Sequence, residues 1–351
     1  MNLVILSPKP HAGKSALCLG LGYHLKKQGR PFSYLKLVGE LSGEGDEDAA
    51  FLGAMLELAE PPELLSPLRG GAELLAALLR GEGAAAAEPG ERALERLLAR
   101  PGTLLVEGAA DLAAGCSLGL DAVNLARRAG ARAVLLVDDH ACLGADWICL
   151  ARRLLGERLG GVVYNRVPVP RVASLREDAR RLLSRTGPAL LGILPEDRLL
   201  NSLTVAELAE ILGAEVLCAS DRTDAWVEHY LVGAMHVESA LRFFRRTPAK
   251  AVITGGDRSD IQLAALETGA RCLILTGNLP PAPAVLGRAA DQGVPMLLVA
   301  ADTLQTVERL EEEWGRMHLR HPKRARRVRE LVEAGLDWAA VDALLDQAAN
   351  P

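Results

Sequence analysis

The stretch Leu3-Val4-Ile5-Leu6-Ser7-Pro8-Lys9-Pro10-His11-Ala12-Gly13-Lys14-Ser15 decides the fold. Its four leading apolar residues read as a buried strand, the prolines after them end it, and Ala16-Leu17-Cys18-Leu19-Gly20-Leu21 opens a helix. Gly-Lys-Ser at a strand-to-helix switch is the phosphate-binding half of a P-loop. Gly13 admits backbone amides, that of Ala16 among them, close to phosphate oxygens; Lys14 reaches the β- and γ-phosphates, and Ser15 offers its hydroxyl to magnesium. Pro8 stands where the usual pattern has its first glycine, so the strand–loop–helix context carries the assignment against a capped helix after a proline turn. Lys9, five residues before Lys14, has the spacing of the extra lysine in deviant Walker loops that act across a dimer; the other reading is a solvated loop lysine.

Outward from this loop, short Val/Ile/Leu runs alternate with helical patterns along the whole chain, as in a parallel sheet covered by helices. The expected strands are 3–6, 33–38, 103–107, 133–137, 161–165 and 189–194, then a second series at 215–218, 231–234, 251–254, 271–275 and 295–299. The fold class is α/β: a P-loop NTPase-type, doubly wound, mostly parallel sheet, followed by a smaller α/β domain. Residues 64–100 read as Ala/Leu/Glu/Arg helices broken at Gly81-Glu82-Gly83 and Pro89-Gly90. Pro195-Glu196-Asp197 ends a strand, and Thr204 with Glu207 three residues on resembles a capped helix start. The expected division is therefore 1–198, 199–312 and a helical tail, 313–351, whose basic run over 316–329 reads as a solvated helix face.

Acidic and amide residues at later strand ends complete the loop. Glu107 ends Thr103-Leu104-Leu105-Val106, and in an open parallel sheet that edge is where ligands sit, so it is the preferred magnesium ligand. Asp46-Glu47-Asp48, after Gly43-Glu44-Gly45, is the second metal candidate, with Asp46 the residue chosen; it reads equally as a loop ordered by nucleotide or a solvated one. Lys36, late in an apolar strand, points to the same edge, either as a catalytic cation for charge developing in phosphoryl transfer or as a snorkelling lysine. Asn165 before Arg166-Val167-Pro168 can both donate to and accept from an adenine edge, or form a turn.

Composition narrows the partners. The chain has 351 residues, 49% hydrophobic and 24% charged, with net charge −5, so no global basic field exists to hold nucleic acid. Of 40 basic residues only seven are lysines, and Lys9, Lys14 and Lys36 converge on the proposed phosphate site, where a compact ammonium suits a phosphate. Six cysteines without C-x-x-C spacing read as buried thiols of a reducing compartment. Neither a signal peptide nor an apolar run long enough for a membrane is expected, which places the protein in the cytoplasm.

Taken together, Gly13-Lys14-Ser15, Tyr34-x-Lys36, Val106-Glu107-Gly108-Ala109 and Gly161-Val162-Val163-x-Asn165-Arg166-Val167 resemble the dethiobiotin synthetase-like P-loop family over residues 1–198. The resemblance implies ATP with magnesium, Glu107 and an upstream aspartate near the metal, and Asn165 near the base. Residues 202–306, through Leu203-Thr204-Val205-x-Glu207, Val232-Gly233-Ala234-Met235 and Val252-Ile253-Thr254-Gly255-Gly256-Asp257-Arg258, resemble the DRTGG domain, although only Asp221-Arg222-Thr223 carries part of the literal pentapeptide. Within it, the turn Gly255-Gly256-Asp257-Arg258 is either an anion site at a helix start or a structural turn capped by Asp257. The pairing is similar to the N-terminal regulatory region of long phosphate acetyltransferases; no segment here resembles the acetyltransferase domain, so acetyl transfer is not expected. Three functions follow: a dimeric nucleotide-dependent regulator acting on a protein target with slow or no turnover, which is favoured; an ATP-dependent ligase activating a carboxylate; or an interaction protein with a degenerate P-loop.

Overall fold

Runs of β-branched and aliphatic residues too apolar to face water on either side form the first sheet. Its strands are β1 (Leu3–Leu6), β2 (Phe32–Lys36), β3 (Thr103–Glu107), β4 (Arg132–Asp138), β5 (Leu159–Val167) and β6 (Ala189–Pro195), all parallel in the order β2-β3-β1-β4-β5-β6. In this computed structural model every residue is described except 40–45, 69–70, 139–140, 315–318, 320 and 347–351, and the side chains of 141–143. The pairings Ile5 with Glu107, Lys36 with Glu107, and Asp138 with Asn165 bring the C-terminal ends of five strands to one edge. β1 lies between β3 and β4, so the loop leaving it opens at the switch point of the sheet.

That loop feeds α1 (Lys14–Lys27), which buries residues around most of its circumference, as an interior helix must. Two glycines let neighbours approach it. A Cβ on Gly20 would lie 2.3 Å from Val332 Cγ1, and one on Gly22 2.7 Å from Leu56 Cδ1 of α2 (Glu47–Leu56). Helices Ala72–Leu79 and Gly83–Leu98 meet at the expected 81–83 break, but the second runs through Pro89. The residue after it, Gly90, seats against the core, where a Cβ would lie 2.8 Å from Leu68 Cδ1 and 2.9 Å from Leu37 Cδ2.

The chain divides into two compact units, 1–196 with 318–351, and 197–317. The tail expected as a separate segment thus belongs to the first unit, where helices Pro322–Gly335 and Trp338–Asp346 pack on α1 and β6. Its basic run is not wholly a solvated face: Arg324 is fully buried. Nor are all the cysteines buried, since Cys116 and Cys149 are exposed while Cys18 and Cys272 lie in the cores.

In the second unit, β7 (Leu203–Thr204) pairs antiparallel with β9 (Trp226–Val227). The main sheet runs β10 (His229–Val232), β11 (Lys250–Gly255), β12 (Cys272–Thr276), β13 (Met296–Leu298) and β8 (Glu215–Cys218), parallel except for the β13–β8 pair. Thr204 and Glu207 form the expected reciprocal capping box. The Gly255-Gly256 turn is structural at its carbonyls: the buried Gln262 amide donates to Gly255 O at 2.9 Å and Gly256 O at 3.0 Å. Asp257 does not cap the next helix, Ser259–Glu267, whose N-cap is Arg258, one residue further on. No helix among the described residues is long and apolar enough to cross a membrane.

Candidate functional site

The loop from β1 to α1 is held by its own polar groups. Ser7 is buried; its hydroxyl donates to Lys9 O at 2.7 Å and accepts from the Lys14 ammonium at 2.8 Å. Lys14 also donates to Ala110 O at 3.0 Å, so the loop and the segment after β3 share one cation. Gly13 caps α1 with φ +99°, a left-handed conformation that favours glycine, and a Cβ there would lie 2.5 Å from Asn165 Nδ2. No side chain caps the first turn of α1 and no acid stands in it, leaving its amides suited to an anion. Ala16, in that turn, is buried.

On the other side of Lys14, Glu107 gathers the remaining candidates. Its Oε1 accepts from Ser15 Oγ at 2.8 Å and its Oε2 from Tyr34 OH at 2.7 Å. The Lys36 ammonium stands 2.7 Å from Asp46 Oδ2 and 3.9 Å from Glu107 Oε1, and Asp46 Oδ1 caps α2 by accepting from Ala49 N at 2.8 Å. Lys36, Glu107 and the Asp46 carboxylate are therefore one buried cluster next to the P-loop. Of the acidic loop, Gly43-Glu44-Gly45 lies outside the described residues.

The two lysines are tuned in opposite directions. Burial lowers the Lys14 pKa from its ordinary 10.5, only partly offset by Glu107. Burial also acts to lower Lys36, but Glu107 and Asp46 outweigh it and hold its pKa above the ordinary value, so Lys36 stays charged. Tyr34, buried against Glu107, is raised well above the ordinary phenol and remains a neutral donor.

The remaining predicted residues lie around the loop in other roles. Asn165 donates to Ala12 O at 2.8 Å, so its amide N–H braces the loop. Lys9 forms an ion pair with Asp138, at the end of β4, within the same chain. Ser7, Tyr34, Asp138 and Arg166 were not singled out as site residues by sequence reasoning. Asp138 carried a usable signal, an acid ending an apolar strand, as Glu107 does. Arg166, left-handed at φ +53°, donates to the carbonyl of His11, itself at φ +53°; nothing local in the sequence marks that strained pair.

Serine hydroxyl and two carboxylates are the hard oxygen donors that magnesium takes beside phosphate oxygens and water. Among the described residues no group of three or more His, Cys, Asp or Glu is poised for a metal on its own.

Residues 1–204 match the family model described as an AAA domain, and residues 207–312 match that of the DRTGG domain. The phosphate acetyltransferase of Synechocystis sp. is 35% identical over 162 residues, 43% of this chain and 23% of that protein. The phosphate acetyltransferase of Deinococcus radiodurans is 27% identical over 375 aligned residues, covering 98% of this chain and 51% of its own length. The chain thus spans about half, or less, of the length of these curated relatives. A solved structure of the MinD cell division protein from Aquifex aeolicus superposes with TM-score 0.35 at 18% identity, covering 56% of this chain and 82% of that one. The CBS and DRTGG domains of the regulatory region of Clostridium perfringens pyrophosphatase give TM-score 0.29 at 17% identity, over 38% of this chain and 67% of that one.

Proposed function

Because this chain belongs to the AAA domain family and carries a DRTGG domain behind that part, we propose that it is a nucleotide-dependent regulator: its first unit binds ATP with magnesium, and the DRTGG domain conveys the bound state to a protein target. The observation that carries the reading is the convergence of Lys14, Ser15, Glu107, Lys36 and Asp46 at the strand edge, with Ser15 hydrogen-bonded to Glu107 and Lys36 paired with Asp46, beside a helix start with uncapped amides. Gly13, Lys14 and the amides of Ser15 and Ala16 would cradle the phosphates. Ser15, Glu107 and Asp46 would hold magnesium, which supplies charge neutralisation between the β- and γ-phosphates. Asn165 braces the loop and offers its carbonyl oxygen toward a base. Coupling between nucleotide and DRTGG domain is expected at about 1–3 kcal/mol, roughly 5–150-fold in affinity.

Calorimetry with MgATP tests the assignment. Lys14→Ala removes a charge-assisted contact worth about 1.5–3 kcal/mol, so affinity should fall roughly 10- to 150-fold; equal affinities overturn the P-loop reading. Lys36, whose pKa Glu107 and Asp46 hold above the ordinary value, favours a second reading, a ligase forming an acyl phosphate, in which this cation stabilises developing charge. Phosphate release separates the two: stimulation by a carboxylic acid marks a ligase, whereas a flat baseline across acids supports the regulator. The Lys9 spacing extends the proposal to a homodimer, and a solution mass near 37 kDa with and without nucleotide would count against it.

A further inference from the structure

A cleft of about 430 Å³ opens in the first unit between the C-terminal half of α1 and helices Pro322–Gly335 and Trp338–Asp346, away from the residues assigned to nucleotide. Tyr23, His24, Lys27, Arg329, Glu333 and Trp338 line it, with Gly20 and Gln28 completing its surface. The volume lies within the range of small-molecule sites. Its wall is aromatic and fixed. The His24 and Trp338 rings stack with centroids 3.8 Å apart and planes 17° from parallel, and Trp338 Nε1 donates to Glu333 O at 2.9 Å. The Arg329 guanidinium carbon stands 5.1 Å from the Tyr23 ring centroid, a cation–π contact.

Charge decides what this wall accepts. The Lys27 ammonium is 2.8 Å from Glu333 Oε1, so that carboxylate answers one of the two lining cations. Asp342, behind the wall, meets His24 Nε2 at 2.9 Å and accepts from Gln28 Nε2 at 3.0 Å. Glu333 is hydrogen-bonded to Lys27, and the exposed Arg329 guanidinium, over the Tyr23 face, stands beside flat rings on which a planar group can stack. We infer that this cleft binds a small aromatic anion, a planar ring bearing one carboxylate or phosphate group, with the ring against Tyr23 and Trp338 and the anion toward Arg329. The inference is independent of the P-loop reading, since none of its residues belongs to that cluster.

Titration calorimetry on the full chain tests it with indole-3-acetate and adenosine monophosphate as the carboxylate and phosphate probes. Indole and cyclohexanecarboxylate serve as controls lacking the anion and the ring. At least one acid should saturate with Kd below about 1 mM, neither control should saturate in that range, and whichever acid binds tighter identifies the anion. Arg329→Gln and Trp338→Leu should each weaken that acid at least tenfold, while Lys14→Ala leaves it unchanged. Absence of saturation by both acids overturns the inference, as does saturation by either control. So does binding that Lys14→Ala abolishes and the cleft variants leave intact. If Trp338→Leu loses its native circular dichroism, Arg329→Gln, an exposed change, decides alone.

Discussion

Lys14 is an ammonium held inside the protein on two neutral oxygens, Ser7 Oγ and Ala110 O, and its depressed pKa makes it sensitive to any anion placed beside it. A phosphate stabilises the charged form and raises that pKa. Between the free and bound values nucleotide binding must therefore take up protons, and affinity must fall as pH rises through the window that opens at the lowered free value. Calorimetry at a series of alkaline pH values, in two buffers of different ionisation enthalpy, should show net uptake growing with pH, abolished in Lys14→Ala. Tyr34 offers a second check. Tyr34→Phe keeps the ring but leaves Glu107 Oε2 without its 2.7 Å donor in a buried site. Urea unfolding should show a loss of about 1–3 kcal/mol, together with weaker magnesium-dependent nucleotide binding.

At the scale of single elements, the turn into α1 is the least tolerant. Gly13 combines a positive φ with a place where a Cβ would meet Asn165 Nδ2. Gly13→Ala should both lower the thermal midpoint and abolish nucleotide binding, read by calorimetry, whereas Gly81→Ala, also at positive φ but with open space around it, should affect stability alone. This turn was legible in the sequence because glycine, lysine and serine at a strand-to-helix switch are demanded by local geometry and chemistry. Glu107 and Lys36 were legible for a related reason, polar residues ending apolar strands. Tyr34 and Ser7 were not: a buried aromatic or serine reads as core until the fold brings the Tyr34 hydroxyl to Glu107 and the Ser7 hydroxyl to Lys14. The Arg258 cap and the helix running through Pro89 depart from the local turn signals at Asp257 and Pro89-Gly90.

For the whole molecule, the sequence reading separated a tail that the fold returns to the first unit, because helical periodicity says which face is apolar but not what covers it. What covers it is specific. A Cβ on Gly192 of β6 would lie 2.5 Å from Leu336 Cδ2, one on Gly160 of β5 2.3 Å from Leu344 Cδ1, and one on Gly20 would strike Val332. Asp337 N donates to Leu191 O at 2.8 Å beside these notches. Gly192→Val should overpack that joint and cost about 1–3 kcal/mol by denaturant unfolding. A chain cut after Glu196 leaves Leu17, Leu21 and Leu191 without Leu336, Val341 and Leu344, which share an apolar interior with them, and should be recovered as aggregate by sizing chromatography. The same interlocking sets a timetable for synthesis. At about 5–20 residues per second, α1 leaves the ribosome roughly 15–60 s before its partner helix. For that interval the nascent first unit shows a greasy flank, so chaperone dependence in a translation extract should persist through synthesis of residues 197–317 and vanish once the last helices emerge.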